Sequence, residues 1–120
     1  MVKQKKILIA DDDQVIMDAL GAILEFEGYE VVYSVNGASL QNMKNEFPDL
    51  LLLDIWMSGI DGRDICKEFK QKENTKNIPI VLISASREIE RSALEAGADD
   101  FLAKPFEMDD LLKTIEKHLH

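Results

Sequence analysis

The stretch LLLLDIWMSGIDG, residues 50–62, carries four consecutive leucines straight into an aspartate and then into a loop marked by Ser58, Gly59 and Gly62. A short continuous apolar run closed by turn residues reads as a strand buried on both faces, the kind found inside parallel sheets. If Leu50 to Leu53 is such a strand, the rest of the chain must supply its neighbours. Runs of the same type occur at Ile7 to Ala10, Val31 to Val32, Ile78 to Ile83 and Phe101 to Ala103. Each is predicted to be a strand with both faces covered.

Between the runs the hydrophobic period becomes helical. Ile16, Ala19, Leu20 and Ile23 follow an i, i+3, i+4, i+7 stripe, as do Met108, Leu111, Leu112 and Ile115. Weaker stripes fall at Leu40, Met43 and Phe47, at Ile65 and Phe69, and at Ile89, Ala93 and Ala96. Gly28 and Gly97 stand where helices should stop, and Pro48 and Pro79 where strands begin. Five βα units in a row predict an α/β fold with a doubly wound, five-stranded parallel sheet. The order expected for such a sheet is 2-1-3-4-5, with a ligand crevice where the order reverses, between strands 1 and 3.

At 120 residues the chain is the length of one domain, predicted to span 1–120, with no linker, repeat or low-complexity segment. Fourteen Lys and Arg against 23 Asp and Glu leave a formal charge of -9, which repels nucleic acid and anionic membrane and favours cations. No direct nucleic-acid or membrane binding is therefore expected. The single Cys66 excludes an intrachain disulfide. With no apolar signal core and no run long enough to cross a bilayer, the expected location is the cytoplasm.

In this fold Asp54 lies at the carboxyl end of a central strand, on the edge where such sheets bind ligands. Strand 1 ends on the same edge in Asp11, Asp12 and Asp13, strand 4 in Ser84, and strand 5 in Lys104 followed by Pro105; strand 2 ends only in Ser34 and Asn36. Each residue alone has an ordinary explanation. Asp13 reads as a helix N-cap, Asp61 before Gly62 as the cap of the next helix, Ser84 as a hydroxyl serving loose backbone groups, and Lys104 as a solvated lysine. Together they mean more, because carboxylates brought close repel one another unless a cation neutralises them. The set holds no imidazole or thiolate, since His118 and His120 lie at the far C-terminus and Cys66 on a helix, so zinc is disfavoured and Mg2+ fits better. A carboxylate beside Mg2+, a lysine and a hydroxyl are the parts needed to form an aspartyl phosphate.

These residues resemble the receiver domain of bacterial two-component response regulators, from KILIADDDQ through PDLLLLDIWMSGIDG and IPIVLISAS to AGADDFLAKPF. The resemblance covers essentially the whole chain and implies a flavodoxin-like (βα)5 fold. By resemblance, Asp54 is the phosphoacceptor, served by a sensor histidine kinase or a histidine phosphotransfer protein. Asp11 and Asp12 hold Mg2+ with Asp54 and the backbone carbonyl of Trp56, Asp12 being the more direct ligand. Ser84 supplies the hydroxyl that turns toward the phosphoryl group, Phe101 is the switch aromatic, and Lys104 binds the phosphoryl oxygens, aimed by a cis bond to Pro105. Apart from its own phosphorylation and dephosphorylation, the chain is expected to catalyse nothing. Its output passes to a further domain or protein through the face of helix 4, strand 5 and helix 5, as a monomer or a phosphorylation-promoted dimer. Ending with helix 5 suits a stand-alone regulator and equally a receiver cut from a longer protein.

Three positions depart from the family pattern. Ser84 stands where threonine is frequent, Ser58 where proline commonly follows Met57, and Trp56 is bulkier than usual. The large ring at Trp56 either shields the phosphoryl group from water or only packs. Competing classes fail on particular residues. A haloacid-dehalogenase-like phosphatase needs a second acid where Trp56 stands, a flavodoxin needs a phosphate-cradling loop where three carboxylates stand, and no glycine-rich phosphate loop occurs. The remaining alternative is a degenerate receiver that binds partners without being phosphorylated.

Overall fold

A computed structural model describes residues 4–34, 40, 47–57 and 59–119. Its main sheet contains β1 (Lys6–Ala10), β2 (Glu30–Ser34), β3 (Leu50–Asp54), β4 (Ile80–Ser84) and β5 (Asp100–Ala103). All neighbours run parallel in the order β2-β1-β3-β4-β5, as expected. Four helices are described: α1 (Gln14–Phe26), α2 (Gly62–Gln71), α3 (Glu90–Glu95) and α4 (Met108–His118). The predicted helix of Leu40, Met43 and Phe47 lies largely outside the described residues, although Leu40 is helical and buried and Phe47 packs on the core. Asn36, Ser58 and His120 also lie outside them.

The leucine run explains why the sheet is covered twice. Side chains of successive strand residues point to opposite faces, so Leu51 and Leu53 join Leu8, Ala10 and Leu82 in one core, while Leu50 and Leu52 join Ile7, Ile9 and Val81 in the other. Ile65, Cys66 and Phe69 of α2 and Ala93 of α3 cover the first face; Met17, Leu20 and Leu24 of α1 and Leu111 and Ile115 of α4 cover the second. All four leucines are fully buried, each contributing about 1.5–3 kcal/mol of hydrophobic stabilisation. Truncating Leu52 to alanine would cost about 2–5 kcal/mol.

Two expectations need correction. The run Val31 to Val32 is not buried on both faces, because β2 is an edge strand that pairs only with β1 in this sheet; Val32 and Tyr33 are more than a third exposed. The α1 stripe is also rotated. Met17, Leu20, Gly21 and Leu24 face the core, whereas Ile16 and Ile23 are half-buried and Ala19 is exposed. Apolar residues occur almost all round this helix, so its periodicity alone does not select a face. Packing of Met17, Leu20 and Leu24 on the sheet selects it, and Gly21 on the same face leaves room for the Tyr33 ring.

Element ends follow local chemistry. Asp13 caps α1 by accepting from the N–H groups of Val15 and Ile16, and Asp61 caps α2 by accepting from that of Arg63. Gly28 and Gly97 end α1 and α3 at φ 98° and 105°, values that an L side chain rarely adopts. An antiparallel hairpin of Trp56–Met57 with Ile60–Asp61 follows β3, and its turn glycine, Gly59, has φ 81°. The hairpin sets Trp56 and Asp61 opposite each other.

Candidate functional site

Register brings the strand ends to one edge. Ala10 pairs with Leu53, Asp54 with Ile83 and Ser84 with Ala103, so the residues that follow β1, β3, β4 and β5 emerge side by side. The three acidic residues after β1 divide their work. Asp13 is spent on the cap of α1. Asp11 is buried, and its Oδ1 accepts from the Asp13 backbone N–H at 2.9 Å. Asp12 lies toward solvent.

Asp11, Asp12 and Asp54 each offer one carboxylate oxygen within 4.8 Å of the others. Lys104 completes the group, its Nζ 2.9 Å from Asp11 Oδ2 and 3.8 Å from Asp54 Oδ1. Its position follows from the end of β5, where the Lys104 backbone N–H donates to the Ser84 carbonyl at 2.8 Å and the bond to Pro105 is cis. Burial, then Asp11 and Asp12, push the Asp54 carboxyl up from 3.8 to about 6, against the opposing pull of Lys104 and the Trp56 backbone N–H. Lys104 therefore does not offset the burial and the neighbouring carboxylates at Asp54. A group of oxygens alone, without imidazole or thiolate, fits a hard divalent cation such as Mg2+.

Ser84 is buried, and its Oγ accepts from the Ser86 backbone N–H at 3.1 Å. Phe101 packs in the first core, among the residues that meet α2 and α3. The Trp56 indole is half-exposed and lies under the Arg63 guanidinium, whose Cζ is 5.0 Å from the ring centroid. The predicted residues thus fall into a convergent group, Asp11, Asp12, Asp54 and Lys104, with Ser84 at the adjacent strand end and Phe101 behind it in the core.

Two residues here escaped the sequence reading. A Cβ on Gly62 would stand 2.7 Å from the Asp54 carbonyl oxygen and 3.0 Å from Ile55 Cα, so glycine is required by a backbone approach at the site. Its N–H donates to the Ile55 carbonyl at 2.7 Å. Arg63 joins Trp56, Asp61 and Ser92, contacts that span 29 residues and leave no periodic signal; only its place beside the Asp61 cap was visible. Cys66 is buried in the first core, where desolvation pushes its thiol up to about 11.

Among the described residues no helix is long and apolar enough to cross a membrane. Residues 7–116 match the family model for the response regulator receiver domain. The DNA-binding dual master transcriptional regulator RpaA of Synechocystis is 34% identical over 113 residues, 92% of this chain and 47% of that protein. The chain therefore spans about half the length of the curated relatives it matches. A protein of Chloroflexus aurantiacus described as a response regulator superposes with a TM-score of 0.91 at 36% identity, covering 98% of both chains. TrrA of Thermotoga maritima, solved in complex with Mg(2+)-BeF, superposes with a TM-score of 0.86 at 33% identity, over 97% of this chain and 100% of that one. A family match over nearly all of the sequence, joined to solved regulators that superpose along nearly its full length, places this chain in the response regulator receiver domain family.

Proposed function

We propose that residues 1–120 form a single receiver domain that works in the cytoplasm as a phosphorylation-activated switch of a two-component phosphorelay. Asp54 accepts the phosphoryl group from a phosphohistidine on a sensor histidine kinase or a histidine phosphotransfer protein. The observation that carries this reading is the convergence of Asp11, Asp12 and Asp54 at one sheet edge with Lys104 against them.

A carboxylate oxygen of Asp54 attacks phosphorus in line. The new O–P bond forms as the P–N bond to the donor imidazole breaks, and the imidazole leaves with the electron pair. Asp11, Asp12, Asp54 and the Trp56 carbonyl would hold Mg2+, with Asp12, on the solvent side, as the more direct ligand. Bound there, Mg2+ supplies charge stabilisation to the phosphoryl oxygens. The Trp56 N–H orients the Asp54 carboxylate, and Lys104 exchanges its contact with Asp11 for a phosphoryl oxygen. The phosphoryl group adds about two negative charges at the end of β3. Ser84 then turns toward it, Phe101 follows, and the face of α3, β5 and α4 changes its affinity for an output domain or protein, as a monomer or a phosphorylation-promoted dimer. The -9 charge disfavours direct nucleic-acid binding by this chain. Beyond forming and hydrolysing its own aspartyl phosphate the chain is not an enzyme.

A receiver that had become a phosphorylation-independent interaction module would be free to lose one of these groups, yet Asp11, Asp12, Asp54, Ser84 and Lys104 are all present. Incubation with acetyl phosphate or phosphoramidate and Mg2+ should add one phosphoryl group by intact mass. Asp54→Asn should add none, because the amide is a poor nucleophile. Stoichiometric labelling of that variant, surviving the same work-up, would reject Asp54 as the acceptor.

A further inference from the structure

Arg63 is the second residue of α2, and its guanidinium meets three separate parts of the fold. Nε donates to Asp61 Oδ1 and Oδ2 at 3.0 and 3.1 Å, and Nη2 to Asp61 Oδ2 at 2.6 Å. Nη1 donates to Ser92 Oγ at 2.9 Å, and the planar group stacks on Trp56. Ser92 is oriented to accept, because its own hydroxyl donates to the Ile89 carbonyl at 2.9 Å. The Arg63 and Asp61 side chains are about three-quarters buried, so this fork is shielded from bulk solvent more than a surface pair would be.

Trp56 and Asp61 face each other across the hairpin that leaves β3, and Trp56 stands two residues beyond Asp54. Ser92 belongs to α3, and Ile89 to the single turn of 3₁₀ helix, Arg87–Ile89, that leads into it. One side chain therefore touches the hairpin that follows the candidate acceptor, at Asp61 and the Trp56 ring, and the helix beyond β4. A capping ion pair alone would need only Asp61. Neither the stack on Trp56 nor the bond to Ser92 contributes to that cap.

We infer that Arg63 is a positioning residue that couples the hairpin of Trp56 and Asp61 to helix α3, giving a change at Asp54 a path to that helix separate from the one through Ser84 and Phe101. The inference rests on the proposed role of Asp54 for its use in signalling, but the mechanical link exists without it. Arginine suits the position because its guanidinium reaches Asp61 and Ser92 at once while lying over the indole, whereas a lysine ammonium is a single point charge.

The link is read in metal-free protein by acrylamide quenching of the single tryptophan and by amide hydrogen exchange over residues 87–96, and read again after adding Mg2+ and beryllium fluoride. Ser92→Ala removes the helix end of the link together with the bond of the Ser92 hydroxyl to the Ile89 carbonyl, so Trp56 quenching is the readout that a purely local loss would not move. It should speed exchange over 87–96 about ten-fold or more, from the loss of the two hydrogen bonds its hydroxyl makes, and make Trp56 easier to quench although the substitution lies 36 positions away. Arg63→Met should do both more strongly, and Arg63→Lys should not rescue either. In Ser92→Ala the exchange change on adding Mg2+ and beryllium fluoride should shrink, while acceptance of phosphoryl from acetyl phosphate persists. If Ser92→Ala and Arg63→Met leave Trp56 quenching and exchange over 87–96 as in the parent, or if Arg63→Lys restores both, the coupling is wrong, whatever the parent's phosphorylation. If the parent takes no phosphoryl group but Ser92→Ala still alters Trp56, the coupling stands and the proposed role of Asp54 falls.

Discussion

The ammonium of Lys104 lies closer to Asp11, at 2.9 Å, than to Asp54, at 3.8 Å. This lysine pairs with a residue proposed to bind the metal, and it reaches the proposed acceptor only at the limit of an ion pair. Lysine and a divalent cation therefore compete for the same carboxylates. We predict that Lys104→Met binds Mg2+ roughly three- to ten-fold more tightly than the parent, because the variant removes a repelling charge and releases Asp11. Its phosphorylation from acetyl phosphate should nonetheless slow, since the phosphoryl oxygens lose a counter-charge. Isothermal titration reads the first effect and intact mass the second; unchanged or weaker Mg2+ binding would contradict the competition.

The raised Asp54 carboxyl makes stability depend on pH. Its folded value of about 6 lies above the ordinary 3.8, so between those values the folded state holds a proton that the unfolded state has released. For an acid raised on folding, stability is lost as pH climbs from about 4 through 6, and the loss is complete above that window. Asp54→Asn removes this titration. In the presence of a chelator the variant should be more stable than the parent at pH 8, by an amount on the order of 2 kcal/mol. The gap should close toward pH 4 and narrow when Mg2+ is added at pH 8. Urea midpoints measured across that range test the sign, and a gap that widens toward acid would refute it.

Gly62 provides a structural test of how firmly the acceptor strand is held. An alanine Cβ would press on the Asp54 carbonyl and Ile55 Cα, both backbone atoms that cannot rotate away. Gly62→Ala should cost roughly 1–3 kcal/mol and slow phosphoryl acceptance by displacing Asp54. Gly59→Ala is the informative comparison. It is strained by its φ of 81° but meets nothing within 4 Å, so its cost should appear in stability with a smaller loss of acceptance. Equal losses of acceptance in both variants would mean that hairpin strain, and not contact with Asp54, is responsible.

Patterns that repeat locally were legible in the sequence, and contacts made at a distance were not. The leucine run announced a doubly covered strand because both faces of β3 are apolar, and the five runs with their intervening helices predicted the observed sheet order. Val31 and Val32 were misread because an edge strand and a central strand can share a short β-branched pair; neighbours decide the difference. The α1 face was misjudged because apolar residues lie almost all round that helix, and packing against the sheet decides which of them are buried. At the site, Asp11, Asp12, Asp54 and Lys104 could be placed together from strand ends alone. Arg63 could not, since its roles depend on a hairpin that no periodicity signals and on a serine in another helix.

Trp56 offers a direct reading of the metal site, since it is the only tryptophan and its peptide adjoins Asp54. A divalent cation drawn to Asp11, Asp12 and Asp54 changes the local field and the hairpin, and with it the stack of the indole on Arg63. Titrating Mg2+ into metal-free protein should therefore give a saturable change in emission that exceeds the effect of Na+ at matched ionic strength, with a further change when beryllium fluoride is added. Asp12→Ala should weaken the Mg2+ response about ten-fold or more in affinity, as loss of a direct carboxylate ligand requires. Asp109→Ala supplies the control, because that exposed residue in the first turn of α4 alters net charge by the same amount on another part of the surface. It is preferable to Asp99, whose Oδ2 holds Lys70 at 2.7 Å and the Ile80 N–H at 2.8 Å, so that its removal would disturb the sheet. If Asp12→Ala and Asp109→Ala shift the titration equally, the signal is general screening of a chain at -9 and the three carboxylates are not a dedicated site.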